Sequence, residues 1–480
     1  MKSCKPLLLL LLVARISSAQ GFQHFLDRIN SLPDSSRQEV ADSLVASAAA
    51  IPIVEQDSVV HFIYTGNANT VSMAGDVNNW QTNVSNLTRI YGTKLWYFTQ
   101  TYEPDARLEY KIVINGTNWI LDPRNPNQIM EGFGPNSELR MPKYVPPVEV
   151  NYFSNIPHGS VFDTSWTSVN LGNSRKIEVY LPPGYPASAD SFPVMYFQDG
   201  TESVALGKYE NIIDYLTANK LIRPLIAVFV SYVNRTPEYA GNQVTAYMKY
   251  FTEELVPFVD SRFRTIKDPK GRGVAGASYG GNISLWLAYT YPHLFGNVSA
   301  QSSYVDPTLS SGFQNGTKLD IRTYMDIGTY DIPSLVPMVH NMVQILQSRG
   351  YDYEFRQYDE GHAWGNWRAH IGNALLEFFP PVPSNVKNDG SGPQGFQLNQ
   401  NYPNPFNPRT IITYRLSSPG YISLKVYDVL GREVTTLVAG VQSAGDHSAT
   451  FNALGFSSGI YFYRLETGGL NQVKKLTLLQ

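Results

Sequence analysis

The chain has 480 residues, of which 43% are hydrophobic and only 16% are charged, a composition that excludes a disordered polyelectrolyte and is typical of a globular protein. Its formal net charge of -3 gives no electrostatic basis for nucleic-acid binding. At about 150 residues per domain, the length predicts roughly three domains. The aromatic content of 13%, with 31 tyrosines, is typical both of extracellular proteins that bind sugars and of β-rich folds.

Residues 1–19 have the pattern of a secretory signal peptide. Lys2 and Lys5 precede an apolar run over residues 7–14, and small residues at 17–19 form a cleavage site. The run is too short to span a bilayer, and no other segment approaches about 20 apolar residues, so no integral membrane segment is expected. The single cysteine, Cys4, lies in this leader, so disulfides and cysteine-bound metals are not expected in the mature chain.

The next two segments differ in their hydrophobic period. Apolar residues recur at helical spacing within residues 20–52, which predicts a helical N-terminal segment. Residues 53–142 alternate apolar and polar side chains in short runs between turn residues, which predicts a small β-sandwich. The proline-rich residues 143–159 are predicted to form a linker.

Residues 160–380 alternate apolar strands with helices, a pattern that predicts an α/β domain with a mostly parallel sheet covered on both faces. The predicted strands, besides the one described in the next paragraph, cover residues 177–181, 194–197, 225–230, 324–327 and 353–356, and one predicted helix covers residues 250–259. Residues 381–395 are rich in Pro, Gly and Ser and are predicted to be a second linker. Residues 396–480 return to short alternating strands and predict a second small β-sandwich.

Residues 276–280, Gly-Ala-Ser-Tyr-Gly, lie between an apolar strand and a helix-like run at 283–288. Strand, G-x-S-x-G and helix in this order are typical of a nucleophile elbow, a tight turn that lifts a serine hydroxyl out of the sheet. The helix that follows points its positive end towards a developing oxyanion. We therefore predict that Ser278 is a nucleophile.

A nucleophilic serine needs a base, and the base needs a group that orients it. Asp331 and His362 each follow a predicted strand, in the order serine, acid, histidine. Both therefore belong to the edge of the sheet where α/β proteins bind ligands. We predict that His362 is the base and that Asp331 orients it.

Two alternatives remain open for these roles. His362 could be a packed histidine beside Trp364 and Trp367, and His370 is then the rival base. The rival acids are Asp326, Asp352 and Asp359. Asp326 is predicted to lie within a strand and Asp359 in the loop before the histidine, so Asp331 fits the position after a strand end better.

An oxyanion hole requires two backbone N–H groups. We predict one from Tyr279, directly after the nucleophile, and the other from Thr201 or Gly200, which follow the strand at 194–197. The chain has no G-x-x-x-x-G-K-[ST], no Rossmann fingerprint before a helix and no H-E-x-x-H, and its eight histidines are scattered. No metal and no cofactor are expected.

Six segments within residues 160–380 resemble the esterase-D family, and they cover residues 175–185, 196–200, 235–239, 254–258, 276–281 and 361–368. This family includes enterochelin esterases, the feruloyl and acetyl-xylan esterases of carbohydrate esterase family 1, and acyltransferases. The resemblance implies an α/β-hydrolase fold and a triad of Ser278, Asp331 and His362.

Residues 58–140 resemble the early-set, glycogen-binding type of carbohydrate-binding module, through residues 74–80, 110–116 and 119–123. In glucan-binding relatives, two tryptophans stack on sugar rings while a lysine and an asparagine form hydrogen bonds. The resemblance assigns these carbohydrate-binding roles to Trp80, Trp119, Lys111 and Asn136. The alternative is a domain that serves only as a structural lid.

Residues 396–480 resemble the C-terminal sorting domain of type IX secretion substrates, through residues 401–408, 426–434 and 458–464. The resemblance implies a secreted or cell-surface protein that engages the type IX secretion machinery. It implies no catalytic role for this domain.

The combined prediction is an α/β-hydrolase domain flanked by two small all-β sandwiches, acting as a secreted serine carboxylic-ester hydrolase. The predicted substrate is an acylated polysaccharide or oligosaccharide, from which feruloyl or acetyl groups are removed. One alternative is an enterochelin-type esterase, which cleaves a catecholate siderophore. An alternative of another class is a carbohydrate-binding protein without catalysis.

Overall fold

The computed structural model describes residues 21–48, 50–381, 396–429, 431–453, 456–468 and 470–479. The predicted signal peptide, with Cys4, and all of the predicted linker 381–395 except its first residue lie outside the described residues. Among the helices of the described ranges, none has the length and apolarity needed to cross a membrane.

The chain begins with two helices, α1 (Phe22–Asn30) and α2 (Asp34–Ser47). Their apolar faces pack on the first sheet of a β-sandwich, where Phe25 and Ile29 join Ile63 and Leu95 in one cluster. The strands of the sandwich are β1 (Ile53–Glu55), β2 (Val59–Thr65), β3 (Val71–Gly75), β4 (Ser85–Asn86), β5 (Thr88–Arg89), β6 (Leu95–Thr101), β7 (Arg107–Ile114), β8 (Asn118–Ile120), β9 (Gln128–Glu131) and β10 (Gly134–Arg140). We call residues 53–142 the front domain.

The front domain contains two antiparallel layers. One has the order β1-β2-β6-β5, and the other is built around β7, which pairs with β3, β8 and β10. Apolar side chains from both layers, including Phe62 and Tyr110, fill the space between them.

The central sheet consists of β11 (Ser160–Ser168), β12 (Asn173–Leu181), β13 (Val194–Gln198), β14 (Ile226–Val230), β15 (Arg272–Ala277), β16 (Asn297–Gln301), β17 (Arg322–Tyr330) and β18 (Asp352–Gly361). Its order is β11-β12-β14-β13-β15-β16-β17-β18, and every pair from β14 to β18 is parallel. The parallel strands β13, β14 and β16 are buried along their whole length because helices cover both faces. The predicted α/β fold class is confirmed.

The helices of this domain are α3 (Gly200–Ala205), α4 (Tyr209–Ala218), α5 (Arg235–Ala240), α6 (Val244–Lys249), α7 (Val256–Arg262), α8 (Tyr279–Thr290), α9 (Pro307–Asn315), α10 (Leu335–Ser348) and α11 (Trp364–Phe378). A π-helical turn at Tyr250–Leu255 joins α6 to α7, so the helix predicted at 250–259 is part of a longer one.

Two local features differ from the sequence prediction. Strand β11 was not predicted, because it is an edge strand whose exposed side chains are mostly polar. Residues 143–159, predicted to be a linker, contain a 3₁₀ turn at Val148–Val150 and are bound to α4. Asn211 donates to the carbonyl of Val150 at 3.0 Å, and His158 lies 2.8 Å from the carboxylate of Asp214.

The front domain is joined to the central sheet at its edge. Strand β7 pairs in parallel with β18 through Glu360 and Arg107, so the second layer of the front domain continues the central sheet. This pairing places the front domain next to Gly361 and His362, at the carboxyl end of β18.

The C-terminal residues form a separate β-sandwich with its own apolar core. Its strands are β19 (Gln397–Leu398), β20 (Arg409–Leu416), β21 (Gly420–Tyr427), β22 (Glu433–Gln442), β23 (Gly445–Asn452), β24 (Gly459–Thr467) and β25 (Leu470–Leu478). The two sheets have the orders β19-β20-β23 and β22-β21-β24-β25, both antiparallel.

Candidate active site

Ser278 occupies the turn between β15 and α8. Its backbone has φ 58° and ψ -122°, a conformation that non-glycine residues rarely adopt and that marks stored strain. The turn is tight because Gly276 and Gly280 pack against each other: a Cβ on Gly276 would overlap the backbone of Gly280. A Cβ on Gly280 would lie 2.9 Å from the carboxylate of Asp199. Glycine at position 276 is therefore a steric requirement of the turn, and a side chain at position 280 would displace the Asp199 carboxylate.

Asp331 and His362 are brought together at the ends of β17 and β18. His362 Nδ1 lies 2.8 Å from Asp331 Oδ1, and that carboxylate oxygen also accepts from the backbone N–H of Ile332 at 2.7 Å. The Asp331 side chain is fully buried, whereas His362 remains partly exposed. Strand β17 runs to Tyr330, three residues beyond the predicted end at Ile327, and contains a bulge after Gly328.

The rival residues have other partners. His370 lies 2.8 Å from Glu360 and stacks on Tyr358 with ring centroids 3.4 Å apart. Asp326 is buried within β17, where it accepts from Gln301, and burial raises its pKa to about 6.

The other two rival acids lie along β18. Asp359 is within this strand and not in a loop as predicted, and it accepts from Thr329 at 2.7 Å. Asp352 pairs with Arg322 at the opposite end of β18 from His362.

The predicted oxyanion-hole residues all lie at helix starts. Tyr279 is the first residue of α8, and Gly200 and Thr201 are the first two residues of α3. The first N–H groups of a helix lack partners within that helix, so they are available to an anion. The Thr201 hydroxyl lies 2.9 Å from that of Ser231.

Arg235 links the two helix starts, a role that sequence reasoning missed. Its guanidinium donates to both carboxylate oxygens of Asp199, at 2.7 and 2.9 Å, and to the carbonyl of Ala277 at 3.3 Å. Asp199, at φ 54°, directly precedes α3, and Ala277 directly precedes Ser278. The arginine therefore ties the predicted oxyanion loop to the serine turn.

Ser278 and His362 open into a cavity of about 650 Å³. The same cavity is lined by all the predicted carbohydrate-binding residues: Trp80, Lys111, Trp119 and Asn136. The front domain thus forms one wall of the cavity, and the domain of the central sheet, which we call the catalytic domain, forms the other. The sequence patterns predicted both groups of residues but not that they face each other.

The front wall combines exposed and hydrogen-bonded groups. Trp119 is 42% exposed, and Phe133 protrudes fully from the turn between β9 and β10. Trp80 has φ 60°, an unusual conformation for an aromatic residue, and its indole N–H donates to Asp76 at 3.2 Å. The amide of Asn136 is buried and donates to Glu109 at 2.8 Å, so its nitrogen is already engaged.

Acidic side chains also belong to this wall: Asp76, Glu109 and Glu131 line the cavity. Burial, reinforced by the charge of Glu109, raises the pKa of both Asp76 and Glu131 to about 8. The buried Arg107 pairs with Glu109 at 2.7 Å and with Glu138 at 2.5 Å.

Within the described ranges, no group of three or more His, Cys, Asp or Glu side chains is arranged to hold a metal ion.

Residues 168–378 match the family described as Putative esterase, and residues 400–478 match the Secretion system C-terminal sorting domain. The central domain belongs to the esterase family of α/β hydrolases. The chain is therefore a carboxylic ester hydrolase, and its sorting domain implies the type IX secretion system.

Related proteins differ in how much of this esterase they resemble. "Uncharacterized protein YjcH" of Bacillus subtilis is 29% identical over 233 residues, 45% of this chain and 97% of that protein. An endo-1,4-beta-xylanase/feruloyl esterase of Xylanibacter ruminicola is 30% identical over 157 residues, covering 30% of this chain and 22% of that protein. An iron(III) enterobactin esterase of Escherichia coli O6:H1 is 24% identical over 291 residues, which cover 55% of this chain and 68% of that protein.

The enterobactin esterase of Shigella flexneri shares the fold, with a TM-score of 0.58 and 20% sequence identity. The superposition covers 68% of this chain and 94% of the Shigella protein. The superposed part of this chain is longer than residues 168–378, which match the esterase family, so the common fold extends beyond the esterase domain.

Proposed function

We propose that this esterase is a secreted serine hydrolase in which Ser278 is the nucleophile, His362 the general base and Asp331 the residue that orients it. The observation that carries the proposal is the 2.8 Å contact between buried Asp331 and Nδ1 of His362, because His362 lines the same cavity as the strained Ser278 turn. The rival histidine and acids all have other partners.

The proposed reaction follows from this arrangement. With Nδ1–H bonded to Asp331, Nε2 of His362 accepts the proton of Ser278 while Oγ attacks the ester carbonyl. The resulting oxyanion accepts from the N–H of Tyr279 and from that of Thr201 or Gly200. His362 returns the proton to the departing alcohol, and an acyl-enzyme remains. Water then attacks the acyl carbon while His362 takes one of its protons. As the carboxylic acid leaves, His362 returns this proton to Oγ of Ser278.

The proposed substrate is a feruloyl or acetyl ester of a plant polysaccharide. Four tryptophans from the two domains line the cavity: Trp80, Trp119, Trp364 and Trp367. Aromatic side chains suit planar acyl groups and sugar rings. We propose that Trp80 and Trp119 stack on the substrate, that Lys111 donates to it, and that the carbonyl of the Asn136 side chain accepts from it.

The charges of the cavity lining are largely compensated. Of its two cationic side chains, Arg235 is paired with Asp199. Of its acidic side chains, Glu109 is paired with the buried Arg107, and the raised pKa of Asp76 and Glu131 keeps most of these two groups protonated at neutral pH. Such a lining suits an uncharged ester.

The second candidate is a catecholate siderophore ester. The observation that favours it is the similarity to enterobactin esterases, which in sequence covers 55% of this chain and in fold extends beyond the esterase domain. In this case, the aromatic wall would contact catechol rings, and Lys111 would face their oxygens.

A substrate panel separates the two candidates: methyl ferulate, acetylated xylan, p-nitrophenyl acetate and a catechol–serine trilactone. We expect the highest kcat/KM on the ferulate or the xylan. Preference for the trilactone would establish the siderophore candidate instead.

Fluorophosphonate labelling tests the triad. We expect wild-type protein to be labelled and Ser278→Ala to remain unlabelled. His362→Ala should also lose labelling, whereas the matched control His370→Ala should be labelled like wild type. Equal labelling of Ser278→Ala and wild type would overturn the serine-hydrolase proposal, and an unlabelled, inactive wild type would favour a binding protein without catalysis.

A further inference from the structure

Residues 360–365, which carry His362, contact the front domain through several groups. This short segment links β18 to α11. Each end of the segment contacts a charged side chain of the front domain. The neighbouring loop that carries Asp331 begins next to a third such contact.

The first contact is at Glu360. Its backbone pairs with Arg107, and its carboxylate lies 3.8 Å from the guanidinium of this arginine. Arg107 is 1% exposed and is held in place by Glu109 and Glu138. A Cβ on Gly365 would overlap this guanidinium, so the start of α11 packs directly on it.

The second contact is at the start of α11. The residue before the helix, Ala363, has no side chain that could cap it. Glu131 of the front domain takes that role: its carboxylate accepts from the N–H of Trp364 at 3.0 Å and from that of Gly365 at 3.2 Å. A carboxyl group at a helix start satisfies N–H groups that would otherwise lack partners. His362 lies two residues before this cap and two residues after the backbone pairing.

The third contact is beside Asp331. The hydroxyl of Tyr330 donates to Glu103 of the front domain at 2.5 Å. Tyr330 directly precedes Asp331 and is the last residue of β17. Asp331 is therefore next to a residue that a front-domain carboxyl group binds, and His362 is two residues from another.

We propose that Glu131, together with Glu103 acting through Tyr330, are positioning residues that hold His362 and Asp331 in register for the reaction at Ser278. This inference rests on the proposed triad. A displacement of a catalytic group by about 1 Å lowers the rate by roughly 100-fold, so loss of either contact should reduce kcat more than it changes KM.

The test uses the full-length protein and three variants: Glu131→Ala, Glu131→Gln and Tyr330→Phe. Glutamine keeps one acceptor oxygen of the two, and phenylalanine keeps the ring without the hydroxyl. The matched control is Glu55→Ala, because Glu55 is also a front-domain glutamate that accepts from a helix start, Phe22 N–H at 2.6 Å, and does not line the cavity. The measurements are kcat and KM on p-nitrophenyl acetate, the rate of fluorophosphonate labelling, and thermal unfolding.

We expect Glu131→Ala to lower kcat and the labelling rate by roughly 10- to 100-fold with KM changed by less than about threefold. Glu131→Gln should recover part of the loss, and Tyr330→Phe should lower kcat by roughly 3- to 10-fold. Glu55→Ala should retain wild-type kcat even where its unfolding temperature falls.

Two results would overturn the inference: a folded Glu131→Ala protein with wild-type kcat, or equal losses of kcat in Glu131→Ala and Glu55→Ala. A change confined to KM would assign Glu131 to substrate binding instead. Ser278→Ala keeps this test separate from the proposed function. If Ser278→Ala abolishes labelling while Glu131→Ala labels normally, only the positioning role fails.

Discussion

The front domain and the C-terminal domain are both small antiparallel sandwiches, but they have different relations to the catalytic domain. The front domain extends the central sheet through the pairing of Arg107 with Glu360, and its side chains form one wall of the cavity. Among the described residues, the cavity lining ends at Trp367, so the C-terminal sandwich contributes none of it.

Their charged residues show the same contrast. Arg107, Glu109 and Glu138 of the front domain are at most 2% exposed in their ion pairs. In the C-terminal domain, the pair of Arg415 and Asp446 lies at the surface, with side chains 38% and 69% exposed. Buried pairs are costly to break, whereas exposed pairs contribute little. Two domains of similar architecture are thus distinguished by whether their charges are buried against the catalytic domain.

Among the variants that test this contrast, Arg107→Ala should have the largest effect on stability. It leaves Glu109 buried without its cation and Glu138 paired only with Arg140, so the free energy of unfolding should fall by about 3–5 kcal/mol. Urea denaturation of the full chain measures this. Arg415→Ala, at the exposed pair, should leave the midpoint unchanged, and equal losses in both variants would contradict the distinction.

The next effect concerns the cavity wall. Trp119→Ala removes an exposed aromatic face from the proposed substrate site, and kcat/KM on methyl ferulate should fall about tenfold. Phe462→Ala in the C-terminal domain removes a ring of similar exposure, 37% against 42%, that does not line the cavity. This control should keep wild-type kcat/KM. Unchanged kinetics in Trp119→Ala would remove the front domain from substrate binding.

A smaller effect is expected in the pH dependence of stability. Burial and Glu109 raise the pKa of Glu131 to about 8 from an ordinary value of 4.5. Between these pH values, the folded state holds the proton more strongly than the unfolded state, so this group makes the free energy of unfolding fall as pH rises. Glu131→Gln removes the titration and should flatten the fall in melting temperature between pH 5 and pH 8. Parallel curves for variant and wild type would contradict this assignment.

The smallest effect is expected when the C-terminal sandwich is removed. A chain that ends at residue 381 retains every cavity-lining residue, so its kcat/KM on p-nitrophenyl acetate should equal that of the full chain. A large loss would show that the C-terminal domain supports catalysis, and the contrast between the two sandwiches would fail.

The features predicted from sequence depend on local patterns. Ser278 lies in a motif fixed by sterics over five residues, and Asp331 and His362 follow apolar strands that the hydrophobic period reveals. The predicted α/β fold and ester hydrolase are confirmed, whereas the roles assigned to individual site residues stay predictions.

The front-domain contacts could not be predicted in the same way. Glu131 and Trp364 are 233 residues apart in sequence, and Tyr330 and Glu103 are 227 apart. These contacts form because β7 pairs with β18 at the edge of the central sheet. They also depend on polar side chains, whose positions in the sequence follow no hydrophobic period. One feature of the front domain is related to these contacts. Glu109 and Glu138 are acidic residues at buried strand positions, where charged side chains are unusual.

The tryptophans of the cavity give this enzyme an optical property. Trp80, Trp119, Trp364 and Trp367 line it, which is four of the seven tryptophans in the chain. Trp367 also meets the ring of His362 edge-on, with centroids 5.0 Å apart. Intrinsic fluorescence therefore comes in large part from the site itself, so a ligand that fills the cavity should change the emission of the unlabelled protein.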